Sequence, residues 1–499
     1  MTTRFFRAIL APAAMISVAA CAELEVTNPN NPDIARALAS PSDVARIASS
    51  SVNSWYLAST SVNPYMMLQV TADAATANFG NFGMRFNNLE PRIAYENNSA
   101  GNDRAATQVP WDGNYGALGA ANDALRALAG GIVTPGANGV ERSRSAALFT
   151  QAASFTNLAL LFNQAFVVTE ATDLAVAPTL VPYTVVRDSA LKKWDDLITL
   201  TQGKSWSWDV TVIPLSVPQT AVNINRIANT MAARTLMLSA RTGAENTATN
   251  WTRVLSYADK GITGTGLADI DFGVVSDGGN IWFSQINLFG NRNSWTRVDQ
   301  RVINRMAPNV PVKYAGTLVA PVSLDRRLGS ANLPCAANPT PCLIGVTTDY
   351  AYLGFNIGDP ARGIFMQSPY MHRRWREVSL DFPIETHSGK TYPYVIAAEN
   401  DLMIAEALVR SNGDLGRAAT LINKTRVTRG GLAPVAGNAA ALLAAISYER
   451  DIELLNTNGH ALFDARRLEQ LQAGTIRQLP IPARELETLK LPVYTFGGP

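Results

Sequence analysis

The sequence has few of the residues on which most metal and nucleophilic sites depend. Three histidines and three cysteines occur among 499 residues, and His372, His387 and His460 are far apart along the chain. The H-E-x-x-H zinc pattern, the G-x-S-x-G nucleophile pattern and the phosphate-binding Walker loop are all missing. Gly264-Thr265-Gly266 begins like a dinucleotide-binding loop but lacks the third glycine. We therefore expect no enzymatic activity, no cofactor and no bound metal.

Runs of one charge and long apolar runs are also missing from the body of the chain. The 42 basic and 40 acidic residues give a formal charge of +2. No basic cluster stands out, so nucleic acid is not an expected partner. Beyond the N-terminus, no uninterrupted apolar segment reaches the length of about 18 residues that is typical of a membrane-spanning helix. The hydrophobic share of 47% is enough for a large core.

Residues 1–20 have the pattern of a signal peptide. Arg4 and Arg7 precede an apolar run that is too short to span a bilayer. The residues before Cys21 resemble a bacterial lipoprotein cleavage site, with valine where leucine is usual. We expect Cys21 to carry lipid and residues 21–39 to tether the body to a membrane. The alternative is an ordinary secreted protein that is cut near the same position and keeps a free cysteine.

The remaining cysteines support this interpretation. Cys335 and Cys342 bracket six residues, a spacing that fits a small disulfide-closed loop. Export to an oxidising compartment would let such a bond form. The pairing leaves Cys21 as the odd cysteine, and lipid attachment would explain it.

Apolar residues at a spacing of three and four predict a series of helices. This periodicity is lost from about 263 to 393, where Gly, Pro, Asn and aromatic residues rise. The predicted body, 40–499, is therefore a helical scaffold (40–262 and 394–486) with an irregular ligand lobe at about 263–393. The first predicted helix begins at Pro41. The others run from Trp111 to about Leu128, Ser145 to Val167, Thr184 to Leu200, Ile224 to Arg241, Trp251 to Gly261 (capped by Asn250 or Thr249), Val395 to Arg410, Leu415 to Arg429 and Ala439 to Asn458.

The C-terminal helices carry a pattern of charges. Glu449 and Glu453 lie one helical turn apart, where two carboxylates repel unless a cation or water meets them. Arg426, Arg429, Arg466 and Arg467 lie in the neighbouring segments. We interpret these acids and arginines as structural ion pairs between consecutive helices. The alternative is a solvated charged face.

Five elements in this region resemble the C-terminal signature of the SusD/RagB family of nutrient-uptake outer-membrane lipoproteins. In order they are Ala405-Glu406-Ala407, Ile422-Asn423-Lys424-Thr425-Arg426, Glu449 to Leu454, Phe463-Asp464-Ala465-Arg466-Arg467 and Leu479-Pro480-Ile481-Pro482. His460 departs from the pattern, because the family often has arginine there. The resemblance implies a mostly α fold, a tetratricopeptide-like helix-turn-helix scaffold with a large irregular loop-rich lobe.

The irregular lobe is rich in aromatic residues, which suit the flat, partly apolar faces of sugar rings. From composition we expect Trp282, Trp295, Tyr350 and Tyr352 to be stacking platforms. The alternative is that each ring packs under its own loop. In the early irregular segment, Arg85 and Asn87 are the expected polar contacts.

Three aspartates near the start of the lobe offer a second kind of site. Asp269, Asp271 and Asp277 could donate oxygen ligands to calcium. Their spacing is not that of an EF-hand loop, and Asp277-Gly278 is also ordinary turn chemistry.

The resemblance implies a lipid-anchored protein at the cell surface, on the outer membrane. Such proteins bind a nutrient, usually an oligosaccharide and in some members a peptide. They deliver it to a SusC-like TonB-dependent transporter, on which they act as a lid. Two other hypotheses remain open from the sequence: an exported helical adaptor that binds proteins or peptides, and a surface glycan hydrolase with an unrecognised carboxylate pair.

Overall fold

The structure is a computed structural model of the chain. It describes residues 34–77, 80–264, 268–279, 281–290, 295–329, 348–356, 361, 363–380, 382–457 and 460–499. The predicted signal peptide, Cys21 and the Cys335–Cys342 pair lie outside these residues. Among the residues described, none of the helices combines the length and apolar character that a membrane crossing requires.

The described residues form a mostly helical protein with short strands, and this fold class was predicted. The helices are α1 (Ile34–Ala39), α2 (Pro41–Ser59), α3 (Val62–Thr71), α4 (Met84–Asn87), α5 (Ala105–Ala129), α6 (Gly139–Leu161), α7 (Tyr183–Thr201), α8 (Ala221–Leu238), α9 (Gly243–Thr247), α10 (Trp251–Ala258), α11 (Gln285–Gly290), α12 (Gln300–Met306), α13 (Ala397–Arg410), α14 (Leu415–Arg426), α15 (Ala439–Glu453), α16 (Ala461–Arg467) and α17 (Ala483–Thr488). The strands are β1 (Ala75–Ala77), β2 (Gln164–Phe166), β3 (Leu180–Pro182), β4 (Phe272–Val275), β5 (Thr296–Val298), β6 (Leu328–Gly329), β7 (Tyr350–Tyr352), β8 (Tyr370–His372) and β9 (Thr391–Val395).

Helices that are close in sequence pack side by side in the scaffold. α2 packs on α5 and α6, α6 on α7, and α7 on α8, while α13 contacts α10, α14 and α15. The centre of the first group is aromatic. Phe149 lies 5.1 Å from Trp55, 5.3 Å from Trp194 and 5.7 Å from Trp208 between ring centroids, each pair edge to face. This is a geometry that aromatic pairs prefer over face-to-face stacking.

Most predicted helix ends agree with the structure to within a few residues. Asn250 caps α10 as predicted, because its side-chain oxygen accepts the backbone N–H of Arg253 at 2.9 Å. The prediction that one helix covers 145–167 was wrong at both ends. α6 begins at Gly139 and ends at Leu161, and the chain beyond it pairs as β2 with β3.

The irregular segment, about 263–393, divides between two cores. Phe272 and Trp282 belong to the main core together with the scaffold helices. The second core includes Val302 and Tyr350 from this segment, and Ile452 from α15 also joins it. The irregular residues are therefore packed into the body at both of its cores.

Both terminal regions of the described chain also pack on the body. The predicted tether ends in a helix, α1, and Leu38 from that helix packs against the main core. Near the C-terminus, Leu479 forms a parallel bridge with Phe162. Gly497 forms an antiparallel bridge with Ala94, which ties the last described residues to the early irregular segment.

Candidate ligand-binding site

A two-stranded antiparallel ribbon, β1 with β5, organises the irregular side of the molecule. Ala75 pairs with Val298 and Ala77 with Thr296. Antiparallel pairing places the residues before one strand beside the residues after the other. Asp73 and Asp299 therefore share one end of the ribbon.

Aromatic rings cluster around Trp295, which precedes β5. Trp295 stacks on Phe82, with 5.5 Å between ring centroids and 18° between ring planes. Phe289 meets Trp295 edge to face at 4.6 Å. All three side chains are partly buried, so the cluster leaves some ring surface in contact with solvent.

A polar cleft of about 30 Å³ includes Asp73 and Asp299 in its lining. A volume of this size holds about two water molecules or ligand hydroxyl groups. Tyr314 and Phe365, both partly buried, add aromatic surface to the lining. The other polar residues in the lining are Glu90, Gln300, Arg301, Lys313, Gln367 and Gln472.

Hydrogen bonds order the carboxylates of the cleft. Gln472 Nε2 donates to Asp73 Oδ2 and to Glu90 Oε1, both at 2.8 Å. Lys313 Nζ donates to Glu90 Oε2 at 2.5 Å, and Arg92 Nη2 donates to Asp73 Oδ1 at 2.5 Å. The cleft therefore has a defined arrangement of acceptors before any ligand arrives.

The acids of the cleft differ in their tendency to ionise. Burial and the neighbouring Asp73 carboxylate raise the pKa of Asp299 to about 7. Burial also opposes ionisation of Glu90, but hydrogen bonds from Lys313 and Gln472 outweigh it and lower the pKa of Glu90. Near neutral pH, the Asp299 carboxyl can either donate or accept a hydrogen bond, while Glu90 only accepts.

Gln300 is the unusual member of the cleft. Its side chain is 2% exposed, and neither amide atom has a hydrogen-bond partner among the described residues. A buried polar group without a partner costs about 1–3 kcal/mol. Because Gln300 lines the cleft, a ligand with a complementary donor and acceptor would remove that cost.

The residues at the two ends of the ribbon offer aromatic ring surface for stacking and a small cleft for polar groups of the size of a hydroxyl. Small numbers of placed polar groups beside aromatic surface are typical of sites that hold a polar organic ligand. No metal centre emerges from the described residues, since no group of three His, Cys, Asp or Glu side chains converges there.

Comparison with known proteins identifies the fold. No protein-family model and no curated protein matches the sequence. Among solved structures, a SusD superfamily protein from Parabacteroides distasonis matches with a TM-score of 0.60 at 14% identity, covering 88% of this chain and 96% of its own. The chain has the SusD-like fold.

Two further structures support the same fold. Surface glycan-binding protein A from Bacteroides uniformis matches with a TM-score of 0.58 at 14% identity, covering 91% of this chain and 97% of its own. A SusD-like carbohydrate binding protein from Bacteroides vulgatus matches with a TM-score of 0.56 at 16% identity, covering 85% of this chain and 83% of its own. The predicted tetratricopeptide-like scaffold is thereby confirmed.

Three of the four predicted stacking platforms are buried in this SusD-like chain. Trp282 packs 5.8 Å from Tyr56 in the main core. The phenol of Tyr350 is fully buried and donates to the Ile452 carbonyl at 2.6 Å, and Tyr352 packs on Tyr370 at 5.3 Å. The prediction was wrong for these rings, because their faces are already covered by protein.

The remaining predicted contacts divide between surface and interior. Trp295 keeps partial exposure, and its role in ligand binding stays a prediction. Arg85 is exposed, with its guanidinium 5.9 Å from the ring of Phe86. Asn87 is buried and donates to the Gly83 carbonyl at 2.8 Å, so it stabilises the turn into α4 and the prediction of a ligand contact was wrong.

The two C-terminal glutamates do meet cations. One of them, Arg429, was predicted and pairs with Glu453, whereas the other, Arg327, comes from a segment that was not predicted. Arg327 Nη1 donates to Glu449 Oε2 at 2.8 Å and to Glu453 Oε2 at 3.0 Å. Asp325 pairs with the same guanidinium at 2.7 Å, and all four side chains are buried. Arg429 also contacts Glu453, at 2.7 Å.

The other three arginines predicted to meet those glutamates have different partners. Arg426 donates to the Ala433 carbonyl at 2.8 Å. Arg467 pairs with Glu406 at 2.7 Å and with Asp464 at 2.8 Å, fully buried. The predicted pairing was therefore wrong for these arginines, since α16 packs against α3, α8 and α9. Arg467 nevertheless forms structural ion pairs, as expected.

Arg466 serves a different purpose from an ion pair. It is fully buried, and its guanidinium donates to the carbonyls of Leu160 at 2.9 Å, Leu238 at 2.9 Å and Arg477 at 2.8 Å. Leu160 and Leu238 lie at the C-terminal ends of α6 and α8, where carbonyls lack helical partners. The arginine thus caps two helices at once.

The three aspartates that suggested calcium are engaged separately. Asp269 pairs with Lys424 at 3.0 Å, and Asp271 accepts the N–H of Ala397 at 2.7 Å. Asp277 accepts the N–H of Gly279 at 3.3 Å, which is turn chemistry. Their side chains do not converge on one point.

Sequence reasoning missed the cleft entirely. Its polar residues come from six separate places in the chain, and none lies in a recognisable motif. The one available signal was Asp299, which precedes a short helical segment and caps it by accepting the N–H of Arg301 at 2.8 Å.

Proposed function

We propose that the protein binds an oligosaccharide at the β1–β5 ribbon and does not hydrolyse it. The observation that carries this proposal is that part-exposed rings around Trp295 and the unpartnered amide of Gln300 flank the same strand, β5, in a SusD-like fold. Sugar rings present apolar faces for stacking and hydroxyl groups for amides and carboxylates. Two proteins of the same fold are described as glycan-binding or carbohydrate binding, which supports this ligand class.

We further propose that the protein works at the outer membrane, on the cell surface. Cleavage after residue 20 would leave Cys21 for lipid attachment, and a doubly or triply acylated cysteine anchors stably. The protein would then deliver its glycan to a SusC-like TonB-dependent transporter and close over it as a lid. The lipoprotein cleavage pattern and the SusD-like fold support this assignment.

A glycan array followed by calorimetry on purified protein tests the ligand class. We expect the variant Trp295→Ala to weaken binding of the best glycan at least about tenfold, the loss of one stacking contact of about 1.4 kcal/mol. The control is Leu174→Ala, which removes an apolar side chain that is 64% exposed and lies between β2 and β3, away from the ribbon. If no glycan binds, or if both variants bind like the wild type, the proposed site is wrong.

Anchoring and delivery need a separate experiment in cells. Metabolic labelling with a clickable fatty acid should mark the wild type and leave Cys21→Ser unlabelled. Affinity purification from solubilised membranes should bring down a barrel transporter with the wild type. An unlabelled wild-type protein, or purification without a transporter, would contradict this part of the proposal.

A further inference from the structure

The acceptors of the polar cleft match an ammonium group. Glu90 Oε2 receives Lys313 Nζ at 2.5 Å. Asp299 Oδ1 accepts the N–H of Arg301, while no donor among the described residues contacts Oδ2. The amide oxygen of Gln300 also has no donor. Among the described residues, two of these three oxygens accept no hydrogen bond and the third accepts one only from Lys313. An ammonium group has three N–H donors, which equals the number of these acceptors.

The cleft also offers one unused donor. Gln300 Nε2 has no acceptor among the described residues, although the side chain is 2% exposed. A hydroxyl oxygen next to the ammonium group would supply that acceptor. The three acceptors and one donor of the cleft therefore complement an ammonium group with a hydroxyl on the neighbouring carbon better than they complement two neighbouring hydroxyl groups.

The chain places its own ammonium in this cleft. Lys313 Nζ lies between Glu90 Oε2 and Gln472 Oε1, at 2.5 and 3.5 Å. The Lys313 side chain is 60% exposed, so it can leave the cleft without exposing core. Exposed ion pairs of this kind contribute about 0–1 kcal/mol, which a better-fitting cation can replace.

A cation in the cleft balances the negative charge of Glu90. Asp73 has its own guanidinium partner, Arg92, at 2.5 Å. The guanidinium of Arg301 donates hydrogen bonds to the backbone carbonyls of Ala72 and Asp73. Without Lys313, no cationic side chain among the described residues would donate a hydrogen bond to the carboxyl group of Glu90 or Asp299.

Building on the proposed glycan function, we propose that the cleft binds the ammonium group and an adjacent hydroxyl of an unacetylated 2-amino sugar. Lys313 Nζ occupies one of that ammonium's contacts, Glu90 Oε2, when the ligand is absent. Acetylation of the sugar amine would remove its charge and two of its N–H donors, so the cleft discriminates against N-acetylated sugars. It also discriminates against neutral glucans, which cannot replace Lys313.

Calorimetry with three β-1,4-linked tetrasaccharides tests this inference on the full chain. The probes are the tetramers of glucosamine, N-acetylglucosamine and glucose, which differ only in the group at carbon 2. We expect the glucosamine tetramer to bind at least about tenfold more tightly than either of the others. Equal affinity for the three, or tightest binding of the glucose tetramer, would overturn the inference.

Two variants connect the preference to the cleft. Lys313→Met removes the competing ammonium from an exposed position, and it should raise affinity for the glucosamine tetramer several-fold while leaving the glucose tetramer unchanged. Gln300→Leu should abolish the preference for the amine. A Lys313→Met variant that binds the glucosamine tetramer more weakly than the wild type would contradict the proposal.

A control with tetralysine separates sugar recognition from simple charge attraction. Tetralysine carries the same number of side-chain ammonium groups without a sugar ring, and it should bind at least tenfold more weakly. Comparable binding of tetralysine would overturn the inference in favour of a peptide ligand. If another glycan binds through Trp295 and the glucosamine tetramer does not, the amine proposal fails alone, whereas an array without any bound glycan ends both proposals.

Discussion

Arg327 Nη1 donates to both Glu449 and Glu453, at 2.8 and 3.0 Å. The arginine comes from the irregular segment, and the two acids lie one turn apart on α15. This shared cation offsets the repulsion between the two carboxylates. The irregular segment is therefore connected to the C-terminal helices by a buried cluster of charged side chains.

Removing that cation should destabilise the fold strongly. Arg327→Met leaves Glu449, Glu453 and Asp325 buried with too little positive charge, which costs about 3–5 kcal/mol. Urea unfolding checks the value. The neighbouring Arg326 is exposed and is the matched control, because Arg326→Met should change stability by no more than about 0.5 kcal/mol. Equal effects of the two variants would contradict the assignment.

The double helix cap made by Arg466 gives a second prediction. Arg466→Met leaves the carbonyls of Leu160 and Leu238 without their donor, and we expect a loss of about 3 kcal/mol. The control is Arg484→Met, which breaks an exposed pair with Asp112 at 2.7 Å and should cost at most about 1 kcal/mol. Thermal unfolding of both variants provides the comparison. A wild-type melting curve for Arg466→Met would show that the cap is dispensable.

Two tryptophans of the irregular segment should respond in opposite ways. Trp282→Ala empties a site in the main core and should cost about 3–5 kcal/mol of stability. Trp295→Ala should cost less stability but weaken glycan binding. Denaturant melts and calorimetry on both proteins separate the two effects. The reverse result, with binding lost at Trp282 and stability lost at Trp295, would contradict the placement of these rings.

Gln300 gives a prediction in which stability and binding move apart. Gln300→Leu replaces a buried, unpartnered amide with an apolar group of similar size, so stability should stay level or rise by about 1 kcal/mol. Gln151 is the matched control, since its buried amide donates to Asn122 at 2.5 Å and to Glu170 at 2.6 Å. Gln151→Leu should therefore lose about 1–3 kcal/mol. A similar loss at both positions would mean that Gln300 has partners after all.

The pKa of Asp299 makes stability depend on pH in a specific direction. In the folded protein this carboxyl stays protonated up to about pH 7, whereas in the unfolded chain it ionises near pH 4. The folded state binds more protons between those values, so its stability falls as pH rises through them, by at most about 1.4 kcal/mol per pH unit.

Asp299→Asn removes this titration and keeps a side-chain oxygen for the N–H of Arg301. The stability difference between wild type and variant should therefore shift steadily in the variant's favour from pH 4 to pH 7 and stay constant above. Urea unfolding at half-unit pH steps measures it. A difference that stays constant across the whole range would refute the raised pKa.

The helices were predictable because their apolar spacing is local information. The overshoot of α6 has a physical reason: Phe162 and Phe166 continue the apolar pattern, but the backbone is extended at Phe162 and residues 164–166 pair with β3. The apolar periodicity of a segment does not show whether that segment pairs, as a strand, with residues further along the chain. The same limit applies to Arg327, which lies far from Glu449 in sequence.

The site was predictable only in part. Aromatic content pointed to the irregular segment, and Trp295 keeps some exposure there, while Trp282 is 5% exposed in the core. Nothing in the local sequence distinguishes these two tryptophans, because burial depends on which residues fold over each ring. The polar cleft could not be predicted for the same reason, since tertiary packing alone brings its six segments together.

The bridge between Ala94 and Gly497 has a consequence for synthesis. A growing polypeptide cannot complete this contact until residue 497 has left the ribosome. The early irregular segment, which supplies Glu90 to the cleft, therefore waits for its partner until residue 497 has been synthesised. Polypeptides truncated before this residue cannot form the bridge, and they leave the early segment without this contact.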